Sequence, residues 1–120
     1  MVLIRPAKAD DLPAIKAILK EVDEYSAAQD WAYFQVADKS GEVVGTVKLD
    51  EYKDFYFLSY LALKPAEQNQ GIASFLLAQA LTRARKDIYL YTIIPEFFRR
   101  FGFTQTAPLT TLPKKDKMEC

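Results

Sequence analysis

The stretch from Phe55 to Ile93 constrains the fold most, because an apolar β segment, a proline-broken loop, a glycine, an amphipathic helix and a second β segment follow without interruption. Phe55 to Leu63 is rich in aromatic and apolar residues, Pro65 stops it, and apolar residues recur at helical spacing through Ile72, Phe75, Leu76, Ala80 and Ala84. Ile88 to Ile93 then reads as another strand. Strand, crossover helix and strand in that order predict a parallel pair with the helix packed on one face of the sheet. Ligand chemistry in such a unit gathers at the C-terminal ends of the strands.

The helix opens on Gly71. A helix start leaves backbone N–H groups without intrahelical partners and carries partial positive charge. Successive amides of Asn69, Gln70, Gly71, Ile72, Ala73 and Ser74 can therefore hold a pyrophosphate. Gly71 has no Cβ to obstruct close approach, and Ala73 keeps the next helical position small. The same glycine also suits a loop that only turns the chain. The segment lacks the Lys and Ser/Thr of a P-loop and the spacing of a dinucleotide-binding G-x-G-x-x-G, so kinase and NTPase chemistry is not expected.

Upstream, Leu3 to Arg5 predicts a short strand. Asp10 or Asp11 can cap a helix with the apolar stripe Leu12, Ile15, Ile18, Leu19 and Val22, Pro13 being tolerated in its first turn. After a polar stretch from Tyr25 to Asp30, the β-rich segments Trp31 to Ala37 and Val43 to Leu49 flank Asp38 to Glu42, a hairpin signal. Asp50 to Asp54 reads as the next turn. Downstream, Pro95 to Phe101 reads as a short helix with Gly102 as its C′ residue, followed by strands at Phe103 to Thr106 and Lys117 to Cys120. The expected fold is α/β: a mixed sheet of six or seven strands flanked by helices, in a single domain over residues 1–120.

Absences narrow the chemistry. Histidine is missing and the one cysteine is Cys120, so the usual zinc ligand, the usual neutral-pH base and any intramolecular disulfide are gone. Ser-His-Asp, Cys-His and zinc hydrolysis go with them. Lys plus Arg and Asp plus Glu each number 16, leaving no global field to draw in nucleic acid or an anionic membrane. No segment approaches the ~20 apolar residues of a membrane span, and the N-terminal apolar run is too short for a signal peptide, so a cytoplasmic location is expected.

The element order, the loop from Gln68 to Ala73 and the segment FFRRFGF at 97 to 103 together resemble the GCN5-related N-acetyltransferase (GNAT) family, and the likeness covers nearly the whole chain. The resemblance implies acetyl-CoA as co-substrate. Its phosphates would sit on the loop from Gln68 to Ser74, its pantetheine arm along Leu61, Ala62 and Leu63, and its acyl group in a splay between that strand and the next. Transfer would be direct attack of an amine on the thioester, with an amide near Leu61 stabilising the oxyanion. The implied partners are acetyl-CoA and a small primary amine, an amino acid or related metabolite; no metal, nucleic acid or membrane is called for, and a homodimer is allowed. Phe97, Phe98 and Arg100 complete the implied CoA contacts, and Arg99 and Arg100 can each reach the 3′-phosphate or else sit on a solvated helix face.

Within the family, LDEYKDFYFLSYLAL at 49 to 63, the pairing of Thr92 with Phe97 and Phe98, and the terminal LPKKDKMEC look like the amino-acid N-acetyltransferase branch, which includes acetylglutamate synthase-type enzymes. There the strand carries an Arg beside a Ser before L-A-V. Here Ser59 and Tyr60 precede Leu61, and Ser59 cannot supply the charge of an Arg that grips an acceptor carboxylate. Three usual helpers also depart from the pattern: Phe98 stands in place of a Tyr acid, Thr92 in place of an Asn, and Phe57 in place of an acidic base. A thiolate with a reference pKa of ~8.5 can leave without a general acid. Tyr60, Tyr91 and Thr92 are the groups expected at the reaction centre, with Ser59 and Tyr89 beside them, though each tyrosine also suits plain sheet packing. Asp50, Glu51 and Asp54 are candidate bases or solvated acids at a hairpin end. The missing helpers keep open an acyl-CoA-binding module without turnover.

Overall fold

The computed structural model describes residues 1–20, 31–92 and 94–104. β1 (Val2–Pro6), β2 (Phe34–Lys39), β3 (Glu42–Glu51), β4 (Phe55–Leu63) and β5 (Asp87–Tyr89) form one sheet in that order. Neighbours pair antiparallel from β1 to β4, and β4 pairs with β5 in parallel. In the chain, α1 (Leu12–Lys20) lies between β1 and β2, α2 (Ile72–Arg83) between β4 and β5, and α3 (Pro95–Arg99) after β5. None of the described helices is long and apolar enough to cross a membrane.

Side-chain alternation sends the two faces of the sheet to different helices. On one face Ile15, Ile18 and Leu19 of α1 pack with Phe34, Val36 and Val43. On the other, α2 packs with Ile4, Ala37, Val44, Val47 and Leu58, and Phe98 of α3 joins them. The buried residues of α2 are Ile72, Leu76, Leu77 and Ala80. Two positions of the expected stripe are thereby corrected: Phe75 is 41% exposed, and Ala84 lies beyond the helix as its cap. Leu77 takes the core place because the buried set advances by four, then one, then three residues, which turns the face away from Phe75.

Local chemistry explains the element ends. Asp11 closes a 3-10 turn (Ala9–Asp11) ahead of α1, and its carboxylate accepts the Lys8 N–H at 2.7 Å instead of capping α1. Arg5 donates to both Asp11 oxygens at 2.7 and 3.0 Å and to Asp38 at 3.1 Å, tying β1 to the turn and to β2. The Arg5 hydrogen bond holds the Asp11 carboxyl below the usual carboxylate range. The β2–β3 hairpin turns on Ser40 (φ 53) and Gly41 (φ 95), both left-handed as a two-residue hairpin turn requires. Gly102 (φ 91) ends the α3 region. Its N–H donates to the Arg99 carbonyl and that of Phe103 to the Phe98 carbonyl, while the Phe98 and Phe103 rings meet edge-on at 5.8 Å; this is a Schellman closure with its hydrophobic contact.

Among the described residues the sheet has five strands, against six or seven expected. Trp31 to Tyr33 form a 3-10 turn, so β2 starts only at Phe34; β5 stops at Tyr89; and Phe103 and Thr104 form no strand. β3 extends through Asp50 and Glu51, which therefore belong to a strand and not to a turn. Val22, the stretch from Tyr25 to Asp30, Ile93, Thr106 and the segment from Lys117 to Cys120 lie outside the described residues.

Candidate active site

The site begins with a slip in register. β3 and β4 pair regularly from Glu51 with Tyr56 to Lys48 with Ser59, but Thr46 pairs with Ala62. One extra residue is thus inserted into β4 at Tyr60 and Leu61, opposite Val47, forming a β-bulge. Tyr60 adopts φ 52, a left-handed conformation that a bulky residue keeps only when its surroundings hold it. The fully buried Thr46 hydroxyl donates to the Tyr60 carbonyl at 2.9 Å. The Tyr60 ring stacks on Phe34 with centroids 6.2 Å apart, and Lys48 Nζ lies 5.6 Å from the ring centre.

Three residues before the bulge, after Phe57, β4 parts from β5. Their ladder covers only Phe55 with Asp87, Tyr56 with Ile88 and Phe57 with Tyr89. From Leu58 to Leu63 the β5-facing edge of β4 has no ladder partner among the described residues. Backbone N–H and C=O groups along such an edge can pair with an extended, amide-bearing ligand as with an added strand.

Leu63 leads directly into the loop. Lys64 N–H donates to the Val44 carbonyl at 2.9 Å, keeping the chain on β3 for one more residue. Two ion pairs then bind the loop to the β2–β3 hairpin: Lys39 reaches both oxygens of Glu67 at 2.9 and 3.0 Å, and Lys64 reaches Glu42 at 2.7 Å. The Lys64 hydrogen bond holds the Glu42 carboxyl below its usual range. Gln68, Asn69, Gln70 and Gly71 are all exposed. Asn69 (φ 64) and Gly71 (φ 82) are left-handed and swing the chain into α2. A Cβ on Gly71 would meet nothing within 4 Å, so backbone conformation and not crowding calls for glycine here. Gly71 caps α2 with no side-chain bond, which leaves the first amides, on Ile72, Ala73 and Ser74, as donors at the positive end of a 12-residue helix.

The remaining candidates gather elsewhere. Tyr91 lies just past β5 and meets the Phe57 ring edge-on at 5.5 Å. The Thr92 hydroxyl accepts the Ile94 N–H at 2.9 Å and so shapes the turn into α3. Phe98 is buried in the α2 core, Phe97 crosses it with centroids 5.1 Å apart, and the Arg100 guanidinium lies 5.4 Å over the Phe97 ring. Arg99 pairs with Glu96. A groove of about 780 Å³ between the end of α2, β5 and α3 takes in Tyr91, Thr92 and Phe98, but neither Leu61 to Leu63 nor Gln68 to Ser74. This groove and the amide-rich edge are therefore different places, and the edge is the better candidate because its backbone donors and acceptors suit an extended ligand.

A bulged strand opening into a left-handed loop and a helix N-terminus is the geometry that the comparisons with known proteins decide. Residues 6–103 match the acetyltransferase (GNAT) family. The chain belongs to the GNAT family. This GNAT chain is 29% identical over 119 residues to the amino-acid acetyltransferase of Mycobacterium tuberculosis, covering 86% of this chain and 68% of that protein. Among solved structures, Rv2747 from Mycobacterium tuberculosis in complex with CoA and NLQ superposes with a TM-score of 0.80 at 27% identity, over 91% of this chain and 76% of that one. N-acetylglutamate synthase from Neisseria gonorrhoeae, complexed with coenzyme A and N-acetyl-glutamate, gives a TM-score of 0.79 at 26% identity. That match covers 95% of this chain and 30% of the synthase, so the GNAT chain spans under a third of the synthase's length.

Three residues of this GNAT site carry only weak sequence signals. Gly45 lies under α2, where a Cβ would come within 2.4 Å of Leu63 Cδ2 and 3.1 Å of Leu76 Cδ1. Thr46 holds the bulge, and Lys48 pairs with Asp50 at 3.3 Å on the opposite face. Their common mark is that they interrupt an otherwise apolar strand, where a glycine or polar residue signals close approach or a special contact.

Proposed function

We propose that this GNAT protein transfers the acetyl group of acetyl-CoA to a small primary amine of the amino-acid class by direct attack on the thioester. The observation that carries the proposal is the continuity of the opened β4 edge with the left-handed loop and the α2 N-terminus. The similarity to an amino-acid acetyltransferase supports the acceptor class, and the CoA in the structural relatives supports the donor.

In this assignment the amides from Asn69 to Ser74 hold the pyrophosphate, with Gln68 at the loop's entrance. The pantetheine arm pairs along Leu61, Ala62 and Leu63, and its acyl group enters where β4 leaves β5. The bulge at Tyr60 re-aims the chain so that an amide near Leu61 meets the developing oxyanion. The amine nitrogen forms its bond to the carbonyl carbon, the C–S bond breaks with its electron pair leaving on sulfur, and a nitrogen proton passes to the thiolate to give the amide and free CoA. Tyr60 and Tyr91 flank the reaction centre. Thr92, Phe97, Phe98 and Arg100 act from the α3 side, Phe98 by fixing α3 to the core and Arg100 by offering a cation to the nucleotide end of CoA. Residues 1–120 are taken as one catalytic domain.

Incubation with acetyl-CoA and a panel of amino acids, polyamines and peptides, read by mass spectrometry of the products, tests this. Acetylated amino acids are the expected result. CoA binding with no acetylated product of any kind would instead identify a binding module.

A further inference from the structure

Acetyl transfer by direct attack makes no use of the ion pair between buried Lys48 and half-buried Asp50. Lys48 on β3 is 9% exposed, and its Nζ lies 3.3 Å from Asp50 Oδ2 and 5.6 Å from the Tyr60 ring centre. Register places Lys48 across from Ser59 and Asp50 across from Phe57. Strand alternation turns these four side chains to the sheet face away from α2, since Val47 and Leu58 between them pack toward α2. On that face Phe57 meets Tyr91 beside the point where β4 leaves β5. Removing a lysine from water is costly even when it is paired. The β3–β4 ladder and the apolar contacts of Val44, Val47 and Leu58 already hold these strands together. A charged pair retained at this place calls for another use.

We propose that Lys48 and Asp50 form the acceptor subsite, with Lys48 receiving the carboxylate of an amino acid and Asp50 its ammonium group. This rests on the acetyltransferase reading and narrows it to acceptors that carry both charges. A zwitterion presents the two signs in the sense complementary to the pair, so it replaces one partly desolvated ion pair with two. Asp50 accepts one proton from the ammonium. The freed lone pair forms the C–N bond at the thioester carbonyl carbon, the C–S bond breaks with its electrons leaving on sulfur, and a second nitrogen proton passes to the thiolate. Asp50 then releases its proton to water. Tyr60 steadies the Lys48 head by a cation–π contact. Asp50 thus supplies a carboxylate on the same face as Phe57, one strand away.

The test is steady-state acetylation of amino acids and of their decarboxylated counterparts by wild type, Lys48→Met, Lys48→Arg and Asp50→Asn, read by product mass spectrometry with acetyl-CoA affinity and melting temperature alongside. Lys48→Met should raise KM for the amino acid about 10- to 100-fold, as loss of a charged hydrogen bond does. It should change kcat much less and erase the preference over the decarboxylated amine; Lys48→Arg should restore much of it. Asp50→Asn should lower kcat at least about 100-fold for both acceptors. Lys48→Gln replaces Lys48→Met if the latter does not fold. A wild type without preference for the carboxylate, a Lys48→Met variant that keeps it, or an Asp50→Asn variant with unchanged kcat overturns the assignment while leaving acetyl transfer intact. A wild type that binds acetyl-CoA and acetylates no amine overturns the transferase reading and this assignment together.

Discussion

Gly71 and Tyr60 stand in the same left-handed region of backbone space, at φ 82 and φ 52, but only the first is readable from residue type. A glycine between a proline-broken loop and an apolar helical stripe marks its own conformation. With open space where its Cβ would be, Gly71→Ala should cost about 1–2 kcal/mol of stability from backbone strain alone, measured by denaturant unfolding, and weaken acetyl-CoA binding in calorimetry. Unchanged affinity would remove the loop from the site. Gly45 was less readable because its reason lies in Leu63 and Leu76, which reach it only after folding. Asp11 belongs to the same scale. Its folded pKa is depressed chiefly by the Arg5 hydrogen bond, so its contribution is complete above the unfolded carboxylate range and is lost as pH falls through the folded value. Unfolding free energy measured from pH 7 to pH 2 should therefore drop below about pH 4, and the drop should be shallower in Asp11→Asn.

At the scale of elements, the bounds of β4 and the start of α2 coincide with the apolar run from Phe55 to Leu63 and with Ile72, because proline and glycine punctuate both. The bulge inside β4 has no such mark: Ser59, Tyr60 and Leu61 look like uninterrupted strand, and only pairing with β3 reveals the extra residue. The early end of β5 is equally unmarked: Leu90 and Tyr91 read as more strand, but the ladder with β4 stops at Phe57 and Tyr89. Likewise Tyr60, Tyr91 and Thr92 were legible only as polar groups near strand ends, whereas the stacking of Tyr60 on Phe34 and the edge-on contact of Tyr91 with Phe57 depend on tertiary packing. The bulge predicts its own weak point. Thr46→Val removes the hydroxyl that satisfies the Tyr60 carbonyl and should cost about 1–3 kcal/mol. It should also lower kcat more than it raises KM for acetyl-CoA, with Thr46→Ser retaining most of both. Equal kcat in Thr46→Val would mean that the bulge does not align the reacting carbonyl.

For the molecule as a whole, the sheet divides the work between its faces and its edge. The α2 face supplies the packing that aims a helix N-terminus at the loop. The α1 face carries Lys48, Asp50 and Phe57. Between them the gap after Phe57 opens toward both. In the proposed reaction, donor and acceptor approach from different sides and meet near the bulge without a covalent enzyme intermediate. Fold class and the left-handed loop into α2 were readable because they rest on element order and a local helix start. The grouping of Lys48 and Asp50 with Phe57 and Ser59 was not, since it depends on the register of neighbouring strands. Hydrogen exchange read by mass spectrometry, with and without saturating acetyl-CoA, probes the central claim at the amides themselves. Added protection over residues 61–63 and 69–74 with little change in β1 and α1 is expected; protection confined to the β5–α3 groove, or none in the loop, would contradict CoA binding along the β4 edge.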